Sequence, residues 1–499
     1  MKMDKNPADK ILPVIGLEIH VELDTQTKMF CRCLNRFGDP PNTNTCPVCI
    51  GLPGVLPVMN RRAVELAMKV GLALGCAVSN FTKWDRKSYY YPDLPKNYQI
   101  SQYDMPLSHQ GVLEVPLSDG SPKKIRIVRA HLEEDAGKNV HDNPTHTGVD
   151  LNRAGVPLLE IVSYPDMNSV EQVGAYARSM HRLVRWLGAS QANMQMGHMR
   201  FEPNINLHIT RDGRLFKTPI IEVKNLNSFK ALEGAVAYEI DRQYRQWCED
   251  SDFTLEKLGK QNRGFDDARG VTVFQREKEQ AHDYRYFPEP DLVPVLVDIT
   301  WCNQVSGQIG ELPLARRNRY MESYNLSFKE ADALTQDSPT GELLDSAVRL
   351  GAAPRRVANI MLGKLSAVAN ERGCCIAEVG LDPARLARLA IGIESGKINA
   401  GSMSQLTSLM LKCADDPEII AAREGLIAIT DSAAIQGWID QVIAANSQVV
   451  DQIKQGGKKQ AKVLGFLMGQ VMKLSGGAAN PAQAKKMLEE KLGSSGDPA

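Results

Sequence analysis

The chain has 499 residues, 43% hydrophobic and 24% charged, and its 59 basic residues are balanced by 59 acidic ones. This excludes a disordered or collagen-like chain and a protein that binds nucleic acid through a general positive charge, so any RNA contact has to come from a local patch. Ten cysteines are too dilute for a disulfide scaffold, no apolar run is long enough to span a membrane, and the polar segment Met1–Lys10 matches neither a signal nor a transit peptide, so a cytoplasmic protein is expected.

The length leaves room for about three domains. The expected class is α+β: a mixed-sheet body over residues 1–300, a helical domain over 301–415 and a helical tail over 416–499. The first element, Val14–Leu23, reads as a strand. Alternate side chains of a strand share a face, so Leu17, Ile19 and Val21 point one way while Glu18, His20 and Glu22 point the other. On this pattern alone, a half-exposed strand with a polar outer face is the favoured reading of the three polar residues.

Next come Cys31-x-Cys33 and Cys46-Pro-Val-Cys49. Two closely spaced pairs on short turns, in a reducing compartment, read as thiolate ligands for tetrahedral zinc, with four ordinary thiols as the alternative. Four cysteine ligands leave no position open for water, so such a zinc is structural and the chemistry lies elsewhere.

Further strand-like stretches are Val112–Leu117, Lys124–Arg129, Val156–Val162, Ile205–Ile209 and Val293–Ile299. Between them, Ser169 and Gln172 have capping-box spacing ahead of a stripe of Val173, Tyr176, Met180, Leu183, Val184 and Leu187, with Gly188 as the stop. A second helix follows Ser228, with Leu232, Val236 and Ile240 spaced four apart. Beyond about Leu312 the strand signal disappears. Gly341–Arg349, Ala353–Arg372, Pro383–Ser395, Gly401–Lys412, Ala433–Asn446, Lys459–Lys473 and Pro481–Leu492 all read as helices broken by Gly or Pro.

Two acidic segments join Glu18, His20 and Glu22 as candidates. His131-Leu-Glu-Glu-Asp135 closes one strand with three consecutive acids, and Glu160 interrupts the apolar run Val156–Val162. A carboxylate in such a run is costly to bury unless it is paired or holds a metal. Carboxylates with one imidazole suit Mg²⁺ or Mn²⁺, which phosphoryl transfer from ATP requires, although a salt-bridged core fits the same residues. No Walker A motif, kinase glycine loop or DFG set is present, so ATP would need a different scaffold. Lys87, Arg153 and Lys224 are candidate phosphate partners, and each is equally readable as a surface cation. In the tail, Lys454, Lys458, Lys459, Lys462 and Lys473 occur without an intervening acid from Ile453 to Lys473. That patch is suited to salt-sensitive phosphate contact or is simply a solvated face.

Several long strings carry a resemblance. They are Val14–Leu23, the four cysteines running into Gly51-Leu-Pro-Gly54, Arg86–Gln102, His131–Lys138, Pro157–Ser163, Val223–Phe229 and Ala281-His-Asp-Tyr-Arg-Tyr-Phe-Pro-Glu-Pro-Asp-Leu292. With Met468-Gly-Gln-Val-Met-Lys473 and Ala479-Asn-Pro481, they make the chain similar to the B-subunit (GatB) family of aspartyl/glutamyl-tRNA amidotransferases, over nearly its full length and including a C-terminal YqeY-like domain. The resemblance implies a heterotrimer, in which this chain works with the amidase (the A subunit) and the small C subunit. Such a protein phosphorylates the side-chain carboxylate of Glu-tRNA(Gln) or Asp-tRNA(Asn) with ATP and amidates it with ammonia from the amidase. It also implies that His20, Glu134 and Glu160 hold the catalytic Mg²⁺, that Glu18 and Glu133 form a second cation or ammonia-guiding site, and that the helical tail grips tRNA. Adjacent residues on a strand face opposite ways, so the choice between Glu133 and Glu134 stays open. A non-catalytic tRNA-binding scaffold is the alternative. One stretch departs from the family pattern: Gly197-His-Met-Arg-Phe-Glu-Pro-Asn204 stands where Gly-Ser-x-Arg-Cys-Asp-x-Asn is expected.

Overall fold

A computed structural model describes residues 9–277, 284–428, 431–454, 460–476 and 479–492, with side chains except at 276–277, 451–454 and 460–462. The chain divides into two compact units after Leu312. The first is built on a ten-stranded sheet. Its central strands, in chain order, are β1 (Lys10–Glu22), β2 (Ser108–Pro116), β3 (Pro122–Glu134), β4 (Pro157–Ser163), β5 (Met199–Arg211), β6 (Ile220–Lys224) and β7 (Lys260–Asp266). The spatial order β7-β6-β5-β1-β4-β3-β2 puts β1 near the middle, and only the β6–β7 pair is parallel.

One face of the sheet is the core. Leu17, Ile19 and Val21 are buried there with Leu159, Ile161, Leu132 and Phe201. Against them pack the helices α1 (Arg61–Ala73), α2 (Val170–Trp186) and α3 (Phe229–Glu249) through Val64, Met68, Val173, Tyr176, Met180, Leu232 and Val236. The caps follow the sequence pattern. Ser169 Oγ accepts from Gln172 N–H at 3.2 Å, Ser228 Oγ accepts from Ala231 N–H at 3.0 Å, and Gly188 ends α2 at φ 62°. The Gln172 side chain closes its half of the box one residue early, accepting from Asn168 N–H at 2.9 Å.

The stretch expected as a strand over Val293–Ile299 is one only at Val295–Leu296, and a helix runs from Ile299 to Ser306. Pro294 removes a ladder donor, and Asp298 caps the helix by accepting from Trp301 N–H at 2.7 Å.

In the second unit the described residues form helices and short turns, with an isolated bridge between Ile398 and Ile427. It holds two apolar cores. One is built around Leu344, Ile360, Leu386, Leu389 and Leu406, and the other around Ile435, Ile439, Leu467, Val471 and Leu488. The expected Ala353–Arg372 helix contains a π turn at Met361–Leu365, where Gly363 leaves helical geometry (ψ −107°). The Asp382–Pro383 start is as expected, with Asp382 accepting from Ala384 and Arg385 N–H. Helices at Pro313–Ser323, Phe328–Leu334, Pro417–Arg423 and Ser447–Lys454 carry too short or too polar a stripe to be read from sequence.

Because the Ser169 cap anchors the helix that covers the centre of the sheet, Ser169→Ala should lower the first unit's stability by about 1 kcal/mol. The check is a downward shift of its denaturant midpoint with unchanged slope.

Candidate active site

The polar face of the sheet is assembled by register. In antiparallel pairs, residues directly opposite share a face. His20 lies opposite Glu160 on β4 and Arg200 on β5, and Glu160 lies opposite His131 on β3. This gives a transverse row of His131, Glu160, His20 and Arg200. Two residues along, Glu133, Leu158 and Glu22 form the next row, and on the other side Val162, Glu18 and Glu202 form a third.

At the centre, His20 Nε2 is 3.4 Å from Glu160 and 3.7 Å from Glu133, while Nδ1 is 4.0 Å from Glu202. His131 Nε2 stands 3.8 Å from Glu160, and Arg129 is 3.8 Å from its other oxygen. Burial alone would depress the His20 imidazole. The hydrogen bond to Glu160 and the charges of Glu160, Glu202 and Glu133 outweigh it and hold it near 9. Burial and the Glu160 charge push Glu133 up to about 7 against Lys87 and His20. Burial would also raise Glu160, but His131, His20 and Lys87 hold it well below the usual carboxylate range. Burial draws His131 down to about 4.

His20, Glu133 and Glu160 each offer a ligand atom, all within 4.8 Å of one another. Glu133 Oε2 is buried without a hydrogen-bond partner, which is what a carboxylate aimed at a cation site looks like. The set expected from the resemblance, His20 with Glu134 and Glu160, is not the one brought together. Glu134 points to the opposite face, where Oε1 pairs with Lys96 and accepts from Ile100 N–H at 3.0 Å. Glu133 takes its place.

A second carboxylate group lies beside the first. Glu18 comes together with Glu202 and Glu222, rather than with Glu133 as expected. Asn204 Nδ2 donates to Glu18 at 3.0 Å, and Lys224 Nζ bridges Glu202 (2.9 Å) and Glu222 (3.0 Å). Lys224 and His20 hold Glu202 low despite its burial. On the far side, Asp135 takes Arg200 at 2.7 Å and Arg153 at 3.6 Å, and burial with the Asp135 charge raises Glu22 to about 8. Glu202, Glu222 and Arg200 were not picked out from sequence as site residues. Glu222 carried the same signal as Glu160, an acid inside the apolar run Ile220–Val223.

Of the three candidate phosphate cations, Arg153 is engaged with Asp135 and with the carbonyls of Ala136 and Gly137, and Lys224 with its two glutamates. Lys87 faces the central cluster. Its ammonium lies over the rings of Tyr284 (5.1 Å) and Tyr89 (5.8 Å). Glu133, Tyr286, Tyr89 and Glu160 outweigh its burial and raise it well above the usual value. The neighbouring Arg86 fastens the strand Phe287–Pro288 by a two-pronged pair with Glu289 (2.6 and 2.8 Å). Ala281–Asp283 of the same string lie outside the described residues.

Cys31, Cys33, Cys46 and Cys49 bring their sulfurs within 4.8 Å of one another, close enough for a tetrahedral set with Zn–S near ~2.3 Å. The four-cysteine cluster is thus able to bind zinc. The hydrogen bond with Cys31 pulls the Cys49 thiol down to about 4, and Cys31 is pushed up in return. The buried Lys28 supports the cluster, with Nζ 3.7 Å from Cys49 Sγ and donating to Leu151 O at 3.2 Å. Asn42 and Asn44 tie the knuckle to Val149–Asn152 through both side-chain and backbone bonds. Of the tail lysines, Lys473 is exposed, Lys458 and Lys459 lie outside the described residues, and so does the side chain of Lys462. Among the described residues, no helix is long and apolar enough to cross a membrane.

A mixed sheet with helices on one face and a carboxylate–imidazole cluster on the other has the make-up of a catalytic domain, and the family comparisons supply its class. Residues 13–303 match the GatB/GatE catalytic domain, and residues 342–492 match the GatB domain found with it. The chain belongs to the GatB family, the B subunits of tRNA-dependent amidotransferases. It is 42% identical to the B subunit of the aspartyl/glutamyl-tRNA(Asn/Gln) amidotransferase of Carboxydothermus hydrogenoformans, covering 96% of this chain and 98% of that protein. It is 43% identical to the protein of that name from Trichlorobacter lovleyi, covering 96% and 99%, and 40% identical to that of Treponema denticola, covering 96% and 97%.

Two outcomes follow from this geometry. Glu134→Ala strands the buried Lys96 ammonium and should cost about 3 kcal/mol, partly recovered in the Glu134→Ala/Lys96→Met double variant; thermal denaturation of the three proteins checks this. Elemental analysis of the purified protein should find one zinc per chain. Cys49→Ser should lose it, with faster proteolysis near Asp150–Asn152.

Proposed function

We propose that the chain activates the side-chain carboxylate of Glu-tRNA(Gln), Asp-tRNA(Asn) or both with ATP, and then completes its conversion to the amide. The observation that carries this reading is the convergence of His20, Glu133 and Glu160, whose carboxylates act on the nearby Lys87 ammonium. A carboxylate is a poor acyl donor, so a leaving group has to be installed. A side-chain oxygen of the substrate attacks the γ-phosphorus, ADP leaves and an acyl phosphate forms. Ammonia then attacks the acyl carbon, a proton is lost, and inorganic phosphate departs with the former carboxylate oxygen.

His20, Glu133 and Glu160 are the residues that would hold Mg²⁺, which neutralises charge on phosphate oxygens during transfer. Lys87 sets a positive charge over the same face, suited to the transferring phosphoryl group. The second group, Glu18, Glu202 and Glu222, lies one strand row away, within reach of a cation or of incoming ammonium. Relatives carry the name of an amidotransferase B subunit, which supports two partners, the amidase (the A subunit) and the small C subunit, with the amidase as the ammonia source. The YqeY-like tail, with Lys473 exposed and Lys458, Lys459 and Lys462 nearby in sequence, is proposed as the tRNA grip.

The test is transfer of label from γ-labelled ATP to Glu-tRNA and Asp-tRNA with the partner subunits present and glutamine withheld. Label should be trapped on at least one aminoacyl-tRNA and fall by at least ~100-fold in His20→Ala and Glu133→Ala, as loss of electrostatic stabilisation at a reacting phosphate predicts. tRNA binding without label transfer would instead leave a scaffold.

A further inference from the structure

The strand β3 outruns its neighbour β2. Their last pair is Ala130 with Ser108, so among the described residues the stretch His131–Glu134 is laddered only on its β4 side. On the open side, buried main-chain groups of Leu132 and Glu134 would each lack a partner, at a cost comparable with a lost hydrogen bond. Two glutamine side chains stand where a strand would. Leu132 N–H donates to Gln102 Oε1 at 3.0 Å, and Gln99 Nε2 donates to Glu134 O at 2.7 Å. Both glutamines are buried, and the other end of each amide is also engaged. Gln102 Nε2 donates to Thr82 Oγ1 at 2.7 Å, and Gln99 Oε1 accepts from the Tyr89 hydroxyl at 3.3 Å. Ile100 N–H adds a bond to Glu134 Oε1 at 3.0 Å. The bonded groups at Leu132 and Glu134 lie on either side of Glu133.

We propose that Gln99 and Gln102 are positioning residues for the reaction, holding the main chain on both sides of Glu133 so that its carboxylate meets His20 and Glu160 around a cation. The proposal rests on the reading of His20, Glu133 and Glu160 as the Mg²⁺ set. Glu133 depends on such support because its own side chain is loosely held. Its Oε2 has no hydrogen-bond partner, and His20 Nε2 comes no nearer than 3.7 Å to Oε1. A carboxylate with so few bonds takes its direction from the backbone that carries it. Gln99 has a second effect. In the pairing of Asp85–Ser88 with Tyr98–Ser101, Lys87 lies directly opposite Gln99, so the two side chains share a face. One residue therefore joins the strand that carries Lys87 to the strand that carries Glu133. It fixes the ammonium and the carboxylate cluster relative to each other. Groups that orient a metal ligand from behind in this way matter to metal affinity nearly as much as the ligands do.

The experiment titrates Mn²⁺, which suits the same oxygen and imidazole ligands, into the full chain and reads free Mn²⁺ by electron paramagnetic resonance. His20→Ala marks the share of the binding that belongs to the central set. Gln99→Met and Gln102→Met remove the amide at nearly constant length. Each should weaken that share about tenfold, as loss of an outer partner of a metal ligand does. Ser169→Ala, which loosens the same unit at a helix cap instead, should bind as the wild type does; this separates positioning from a general loss of stability. If Gln102→Met does not fold, Gln102→Asn, which keeps the amide but draws it back by one methylene, takes its place with the same expected direction. With the partner subunits present, excess Mg²⁺ should recover label transfer in the glutamine variants and not in His20→Ala. Wild-type Mn²⁺ affinity in both glutamine variants, with an unchanged circular dichroism spectrum, would overturn the inference and leave the proposed reaction standing. An equal loss of affinity in Ser169→Ala would overturn it too. Absence of His20-dependent Mn²⁺ binding in the wild type would overturn the metal set itself, and the inference with it.

Discussion

The register of β1 is the constraint on which the rest depends. Its odd residues Leu17, Ile19 and Val21 are sealed against α2 and α3, and its even residues Glu18, His20 and Glu22 lie on the opposite face. A slip of one residue against β4 or β5 would drive two carboxylates and an imidazole into the core and expose the aliphatic side chains. The apolar face thus fixes the chemistry on the polar one. Each cluster is a set of cross-strand neighbours: His20 with Glu160, and Glu18 with Glu202. No loop has to find its conformation before these groups meet.

So many carboxylates on one face would repel one another unless matched. The matching is local: Lys224 between Glu202 and Glu222, Arg200 and Arg153 on Asp135, Lys87 over Glu133 and Glu160, and Lys96 on Glu134 beneath. Deeper in, Glu239 is buried and takes Arg242 at 2.8 Å and Arg263 at 3.4 Å. Buried ion pairs add little net stability compared with apolar packing, but a missing partner is severe. In the central cluster a buried carboxylate oxygen on Glu133 has no hydrogen-bond partner, so its balance is left open to a ligand.

Much of this was legible in the chain, for physical reasons that also mark where legibility stopped. Alternation gave the β1 faces, and an acid within an apolar run gave Glu160. Alternation could not choose between Glu133 and Glu134, because that choice depends on which residue of β3 lies opposite Leu158, a long-range register. The same limit hid the partners of Glu18, since Glu202 and Glu222 arrive from strands far along the chain. Val293–Ile299 looked like a strand by composition, but a proline and an aspartate cap overrode the β-branched residues. The helical second unit was visible where a cap preceded a long apolar stripe, as at Asp382–Pro383, and faded where the stripe was short even behind a cap, as at Asp416–Pro417.

The departures at Gly197–Asn204 show how the sheet absorbs substitutions beside a reactive centre. Pro203 cannot donate to a ladder. The β5–β6 pairing consists of Asn204 with Glu222 and Ile205 with Ile221, and the next pair along would need Pro203. The ladder therefore ends at the proline, and Lys224, just past that end, reaches across to Glu202. Phe201 points to the core face, where its ring lies 5.9 Å from Phe229 of α3 and fills space a smaller residue would leave empty. Glu202 keeps the charge expected at its position and brings its carboxylate to Glu18 with one more methylene. His198 meets Phe37 rather than any group of the central cluster. Of the changed residues, Glu202 also reaches the centre, 4.0 Å from His20 Nδ1, while His198 and Phe201 are met by partners outside the His20–Glu133–Glu160 set. The segment remodels the borders of the site while leaving its centre as the register of β1 dictates.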